Sequence, residues 1–244
     1  MNSIPKKLHY CWFGGKDKPK LVVECIKTWK EKMPDYEIIE WNEENFDINK
    51  IQFTKEAYEN KKWAFVADYC RNWVLYNYGG IYLDTDMEVL KSFDCFLRRQ
   101  AFACVEKDDY INSAIWGCKK GDLFVKLILD YYKNLDFNKY KDNLFDIAIP
   151  KIITELAIKN GYVKSEKPVA FFNDTVIYPS EYFYPKKHSW EKASITNNTY
   201  AIHHYDGSWR SKDKILLSKM KKILIKFIGY NNANKLVCFI KRNK

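Results

Sequence analysis

Glycine and proline are scarce in this chain, with 9 and 7 residues among 244. So few chain breakers exclude a linker-dominated or collagenous protein. Together with 17% aromatic residues they describe a chain that folds around a packed core. No window offers 18 uninterrupted apolar residues, so no transmembrane helix is expected. The seven cysteines make no C-x-x-C pair and no zinc-like spacing with histidine. Scattered through apolar stretches, they read as reduced thiols serving as small core residues. The opening MNSIPKKLHYCWFGG has no apolar run after its lysines, so no secretory signal is expected and a cytoplasmic location follows.

Acidic residues are missing from one end. Residues 211–244 hold ten Lys/Arg against Asp213 alone, and so carry +9 of the chain's +10. The first 210 residues are nearly neutral. A nucleic-acid-binding protein spreads basic surface over its folded face, so no nucleic-acid partner is expected. In the tail, Leu216, Met220, Ile223, Leu224, Phe227 and Ile228 follow helical spacing, while Lys219, Lys222 and Lys226 gather on another face. Such a helix lies on an anionic membrane, or it packs on its own domain with its lysines in solvent.

The body alternates strand and helix signals. Strands are expected at 8–13, 36–41, 81–83, 101–106, 112–118, 169–172, 176–179 and 200–204. Helices are expected at 21–32, 61–78, 123–132 and 145–160. The alternation predicts an α/β fold with a mostly parallel sheet flanked by helices, in one domain over 1–210 with a basic amphipathic extension over 211–244.

The segment AFVADYCRNWVLYNYGGIYLDTD, residues 64–86, carries the densest chemistry. A helix stops at Gly79-Gly80, a short apolar strand follows, and two aspartates emerge one residue apart. Side chains two apart on a strand share a face, so Asp84 and Asp86 can present two hard oxygen ligands to Mg²⁺ or Mn²⁺. In open α/β sheets ligands bind outside the carboxyl ends of strands, where this pair falls. A bare D-x-D also ends many strands in a solvated turn. On the preceding helix, Asp68 and Arg71 are i and i+3 and share a face. They form either a surface ion pair or a pair that meets a sugar and a phosphate.

The pattern D-x-x-R followed by Y-G-G-I-Y-x-D-x-D resembles the sugar-binding region with the D-x-D motif of glycosyltransferase family 32. That family includes initiating α-1,6-mannosyltransferases and capsular polysaccharide synthesis transferases, and it is distantly similar to clostridial glucosylating toxins. IPKKLHYCWFGG at residues 4–15 resembles the family's first strand, and HHYDGSW at 203–209 its closing segment. The resemblance implies a GT-A-like fold and a retaining hexosyltransferase using Mn²⁺ or Mg²⁺ and a nucleotide-sugar donor. A UDP-sugar is the expected donor, with GDP-mannose as the alternative.

Carried onto matching positions, the resemblance has Trp12 stacking on the base and Asp68 and Arg71 gripping the donor sugar. Asp84 contacts ribose or sugar, and Asp86, with Asp84, binds the metal. His204 or Asp206 completes the metal shell, and Ser208 and Trp209 touch the diphosphate. Asn112 is a candidate for positioning sugar or acceptor. Trp12 equally fits an ordinary core aromatic, and the two histidines fit strand positions with satisfied rings. The expected acceptor is a glycan or lipid-linked glycan in surface polysaccharide synthesis, with the enzyme cytoplasmic and peripheral on the inner membrane face. The alternatives are a toxin-like protein glycosyltransferase and a non-enzymatic basic membrane- or nucleic-acid-binding protein. The acceptor half has little to anchor it: relatives carry Gly-Pro where this chain has Ala148-Ile149-Pro150.

Overall fold

The structure, a computed structural model, describes residues 3–106 and 109–206; Ser208, Trp209 and the 211–244 extension lie outside the described residues. Seven strands form one sheet: β1 (Lys7–Cys11), β2 (Glu37–Trp41), β3 (Gly80–Leu83), β5 (Ala101–Val105), β6 (Ile111–Cys118), β7 (Val169–Phe171) and β8 (Thr175–Tyr178). Their order is β2-β1-β3-β6-β5-β8-β7. Two further strands, β4 (Met87–Val89) and β9 (Ala201–His203), pair as a small sheet of their own.

The parallel pairing expected from strand–helix alternation joins β2 to β1, β1 to β3 and β5 to β8. The sheet is mixed, because β6 enters antiparallel between β3 and β5 and β7 runs antiparallel to β8. Connection length explains this. Only a few residues separate β5 from β6, enough for a hairpin but too few for the helical crossover that parallel strands need.

Among the described residues, six helices flank the sheet: α1 (Lys20–Lys32), α2 (Gln52–Glu59), α3 (Trp63–Tyr78), α4 (Leu123–Lys133), α5 (Phe137–Tyr140) and α6 (Ile149–Lys159). Alternation along β5 shows how the sheet divides the core. Ala101, Ala103 and Val105 face the cluster built on α2, α3, α4 and α6, whereas Phe102 and Cys104 face the cluster holding Trp29, Phe93 and Phe183. The helix expected over 145–160 splits into a short turn at Leu144–Ile147 and α6, with Pro150 in the first turn of α6. Proline lacks an N–H and presets φ, so it opens a helix well and interrupts one badly. Of the six described cysteines, five are buried and Cys95 is exposed.

α3 positions the site. Ten of its sixteen residues are buried, including Asp68, Arg71 and Asn72, so it is a core helix without a solvent stripe. It stops because Gly79 adopts φ +66° and Gly80 φ +104°, and a Cβ at either would meet backbone atoms at 2.7 and 2.8 Å. The chain then turns directly into β3, an interior strand, which brings Asp84 out at its carboxyl end, within reach of Arg71 on the helix it has just left.

Candidate active site

The helix side of the site is organised by Arg71. Its guanidinium lies 2.9 Å from Asp68 Oδ1 and 3.1 Å from Asp84 Oδ1. It also donates to the Ser113 carbonyl at 3.0 Å and sits 4.6 Å from the centre of the Tyr82 ring. The surface-pair reading of Asp68 and Arg71 is therefore replaced: their side chains are 9% and 6% exposed. Burial pushes the Asp68 carboxyl up to about 7, against the pull of Arg71. Arg71 is held charged because Asp84, Tyr82 and Asp68 outweigh its own burial.

Asp86 is held from the other side. β4 starts at Met87 and pairs antiparallel with β9, placing Met87 opposite His203. His203 Nε2 lies 3.1 Å from Asp86 Oδ1, and the Asp206 backbone N–H donates to Asp86 Oδ2 at 2.8 Å. Burial alone pushes the Asp86 carboxyl up, yet His203 and the backbone donor hold it down at about 2. His203 is correspondingly raised: burial disfavours its charge and Asp86 overcomes that. Ligand atoms of Asp84, Asp86 and His203 all lie within 4.8 Å of one another.

The structure places one expected residue away from the aspartate pair. His204, expected beside the aspartate pair, sends Nε2 to Glu88 Oε2 at 2.8 Å and Nδ1 to within 3.2 Å of Lys186 Nζ. Successive residues on an extended segment point to opposite sides, so only one of the two histidines can face Asp86, and it is His203. Asp206 meets Asp86 through its backbone N–H. Trp12 lies just past the end of β1, which is parallel to β3, so it leaves the sheet at the same edge as Asp84. It is partly exposed and lines a cleft of about 570 Å³ with Lys18, Asn42, Tyr58 and Trp63. Its indole N–H donates to the Lys16 carbonyl at 2.6 Å, fixing the ring plane.

Asn112 is the second residue of β6, whose antiparallel run brings its first residues to this same edge. Its side-chain amide donates to Glu106, and its Oδ1 accepts from the Ala114 N–H at 2.9 Å. Ser113, Tyr82, Glu106 and His203 were not singled out by sequence. The adjacent histidines were the one visible signal for His203, and the register that chooses between them was not readable.

Residues 19–103 match the model of the glycosyltransferase sugar-binding region containing the DXD motif. A curated relative, inositol phosphoceramide mannosyltransferase 3 of Schizosaccharomyces pombe, is 24% identical over 217 residues, covering 83% of this chain and 60% of the relative. Mannosyl phosphorylinositol ceramide synthase SUR1 of Saccharomyces cerevisiae is 26% identical over 239 residues, covering 85% of this chain and 56% of the relative. The chain thus spans less than two thirds of either relative's length. Among solved structures, the PaToxG glycosyltransferase superposes with a TM-score of 0.51 at 17% identity, over 65% of this chain and 69% of that one. That likeness concerns the fold, and it agrees with the GT-A-like α/β architecture expected from the sequence. The matched span runs from the residue before α1 into β5 and holds Asp68, Arg71 and the Asp84–Asp86 pair, so it is here that this chain is similar to the sugar-binding region of the DXD-containing glycosyltransferases.

Proposed function

We propose that the protein moves a hexosyl group from a nucleotide-sugar to a glycan or lipid-linked glycan, with a divalent cation and with retention of anomeric configuration. The observation that carries this reading is the convergence of Asp84, Asp86 and His203, with ligand atoms within 4.8 Å of one another, beside the guanidinium of Arg71. Two carboxylates suit Mg²⁺ or Mn²⁺, and the added imidazole nitrogen tips the set towards Mn²⁺. Those three residues would hold the cation, which when bound neutralises charge growing on a departing diphosphate.

The protein groups do the rest. Arg71, fixed by Asp68 and the Ser113 carbonyl, is a preorganised cation for the sugar or its phosphate, and fixed charge in a dry site needs no reorganisation during reaction. Trp12 offers a ring face for the base at the same edge. In the transfer, the anomeric carbon–oxygen bond to the diphosphate breaks and a bond to the acceptor oxygen forms. The acceptor hydroxyl's proton leaves with the diphosphate, so no protein base is required. A UDP-sugar is the donor inferred from the sequence. The curated relatives are named for mannosyl transfer, which makes GDP-mannose the second donor to try. Their names also carry a ceramide lipid, which supports a lipid-linked acceptor; a peripheral place on a membrane, reached through the basic residues 211–244, belongs to the same proposal and rests on their charge alone.

The test is nucleotide release from UDP-glucose, UDP-galactose, UDP-N-acetylglucosamine and GDP-mannose, with and without Mn²⁺. Release from at least one donor, dependent on the cation and reduced about 10²- to 10³-fold by Asp86→Asn, is expected. No release from any of the four sinks the proposal.

A further inference from the structure

We infer that the cleft of about 960 Å³ beside the Asp84–Asp86–His203 group is the acceptor site, that it takes a neutral saccharide, and that Glu106 holds the hydroxyl to be glycosylated. This rests on the transferase reading above, whose sequence signals end at the donor.

The cleft and the cation group share walls. Tyr184 lines the cleft, and its ring lies 5.7 Å from the His203 ring at 66°. The Tyr184 hydroxyl reaches the Asn112 carbonyl at 3.4 Å, and so ties the wall to the first residue pair of β6. Glu106 lines the cleft too, with its carboxylate bonded to the Asn112 side-chain amide. Its backbone N–H donates to the Tyr110 carbonyl at 2.7 Å, and the bond from the Asn112 amide orients the carboxylate. The Tyr205 hydroxyl also faces this carboxylate, and the roughly four lone-pair sites of a carboxylate leave room for a further hydroxyl donor.

The lining indicates the ligand class. It carries five carboxylates and four lysines, so there is no excess charge to select a polyanion or an anionic lipid surface. Much of that charge is already engaged: Lys164 pairs with Asp109 at 2.7 Å, and Glu181 accepts from Thr196 at 3.1 Å and Asn198 at 3.0 Å. Within this polar lining stands one partly exposed aromatic ring, Trp190, which stacks on His188 at 4.4 Å, while Tyr184 is buried in the wall against His203. A flat apolar ring among many donors and acceptors matches the face and hydroxyls of a pyranose.

The test is saturation-transfer NMR on the full chain with methyl glycosides of mannose, glucose, galactose and N-acetylglucosamine at millimolar concentration. UDP or GDP with Mg²⁺ fills the donor site during the measurement. At least one glycoside should bind without being displaced by nucleotide. Trp190→Ala should weaken that binding about tenfold, and Glu106→Gln about three- to tenfold. Lys126→Ala, on the exposed side of α4, serves as the wild-type-like control. No bound glycoside, displacement by nucleotide, or binding indifferent to both substitutions would each overturn the assignment. Donor hydrolysis by the wild-type chain reports separately on the transferase reading. Hydrolysis without glycoside binding refutes the cleft alone, and absence of both refutes the two together.

Discussion

Asp84 and Asp86 stand two residues apart, yet they are held by opposite halves of the molecule. Asp84 answers to α3: its carboxylate meets Arg71, which is itself fixed by Asp68, Ser113 and Tyr82. Asp86 answers to the small β4–β9 sheet through His203 and the Asp206 backbone. The first arrangement comes mainly from the contiguous α3–β3 stretch, with Ser113 of β6 added across the sheet. The second depends on a strand from the far end of the described chain reaching back. The difference teaches that one sequence motif can report two structural systems, a rigid grip set by the core and a closing edge set by a distant segment.

The helix side should be the costlier to break. Removing one member of a buried ion pair leaves an uncompensated charge, so Arg71→Ala should lower stability by about 3–5 kcal/mol in urea unfolding. Arg71→Lys should recover part of that, since it keeps charge but loses the fork that spans Asp68 and Asp84. A loss for Arg71→Ala no larger than that of an exposed substitution would contradict the rigid-grip account.

His9 gives the same side a pH dependence. Its Nε2 meets the Gly79 carbonyl at 2.8 Å and its Nδ1 accepts from the Trp41 indole N–H at 3.1 Å, so the neutral ring has both nitrogens satisfied. Burial holds its pKa down at about 4; nearby Lys7 lowers it further, while the Gly79 carbonyl and Glu37 act to raise it. The unfolded chain takes up this proton below about 6.5, whereas the native state refuses it until about 4. The associated stability is therefore whole above pH 6.5 and is lost as pH falls towards 4, by about 3 kcal/mol. His9→Gln should flatten that part of the stability–pH curve; an unchanged slope would assign it to other groups.

What was legible follows the same division. The α3–β3 segment was readable because helix, Gly-Gly stop, strand and aspartates are contiguous, so local rules place Asp68, Arg71, Asp84 and Asp86 together. Their burial was not readable, since i, i+3 spacing is identical on a surface helix and a core helix. Ser113 and Tyr82 join Arg71 through the pairing of β3 with β6, whose register no local pattern encodes. The reading of His204 in place of His203 is a register problem as well, because β4 and β9 are three residues each and too short to show alternation. The helix boundary at Pro150 was open to reading: proline in a first turn marks where α6 begins.

The closing edge can be tested with the two histidines themselves. His203→Ala should raise the Mn²⁺ concentration giving half-maximal donor hydrolysis by at least about tenfold. His204→Ala should shift it by less than about fivefold, the size of a partly exposed ion pair. Equal effects would dissolve the distinction between the two rings, and a larger effect for His204 would reverse it.

Trp12 offers the smallest expected effect and the sharpest use of the comparison, because it belongs to neither system. It leaves β1 at the edge where β3 delivers Asp84, with its ring plane set by the bond to Lys16 and a lysine, Lys18, 5.8 Å from the ring centre. Base stacking on an aromatic ring is worth about 1–3 kcal/mol, and at a partly exposed ring the low end applies. Trp12→Ala should therefore weaken nucleotide binding by about five- to tenfold in calorimetric titration. The Mn²⁺ requirement should stay put, and so should the unfolding midpoint, because Trp12 packs at the margin of its apolar cluster. If the substitution instead lowers stability as Arg71→Ala does, Trp12 is a core aromatic and the base binds elsewhere. If it moves the Mn²⁺ requirement as His203→Ala does, the base end and the closing edge are one system.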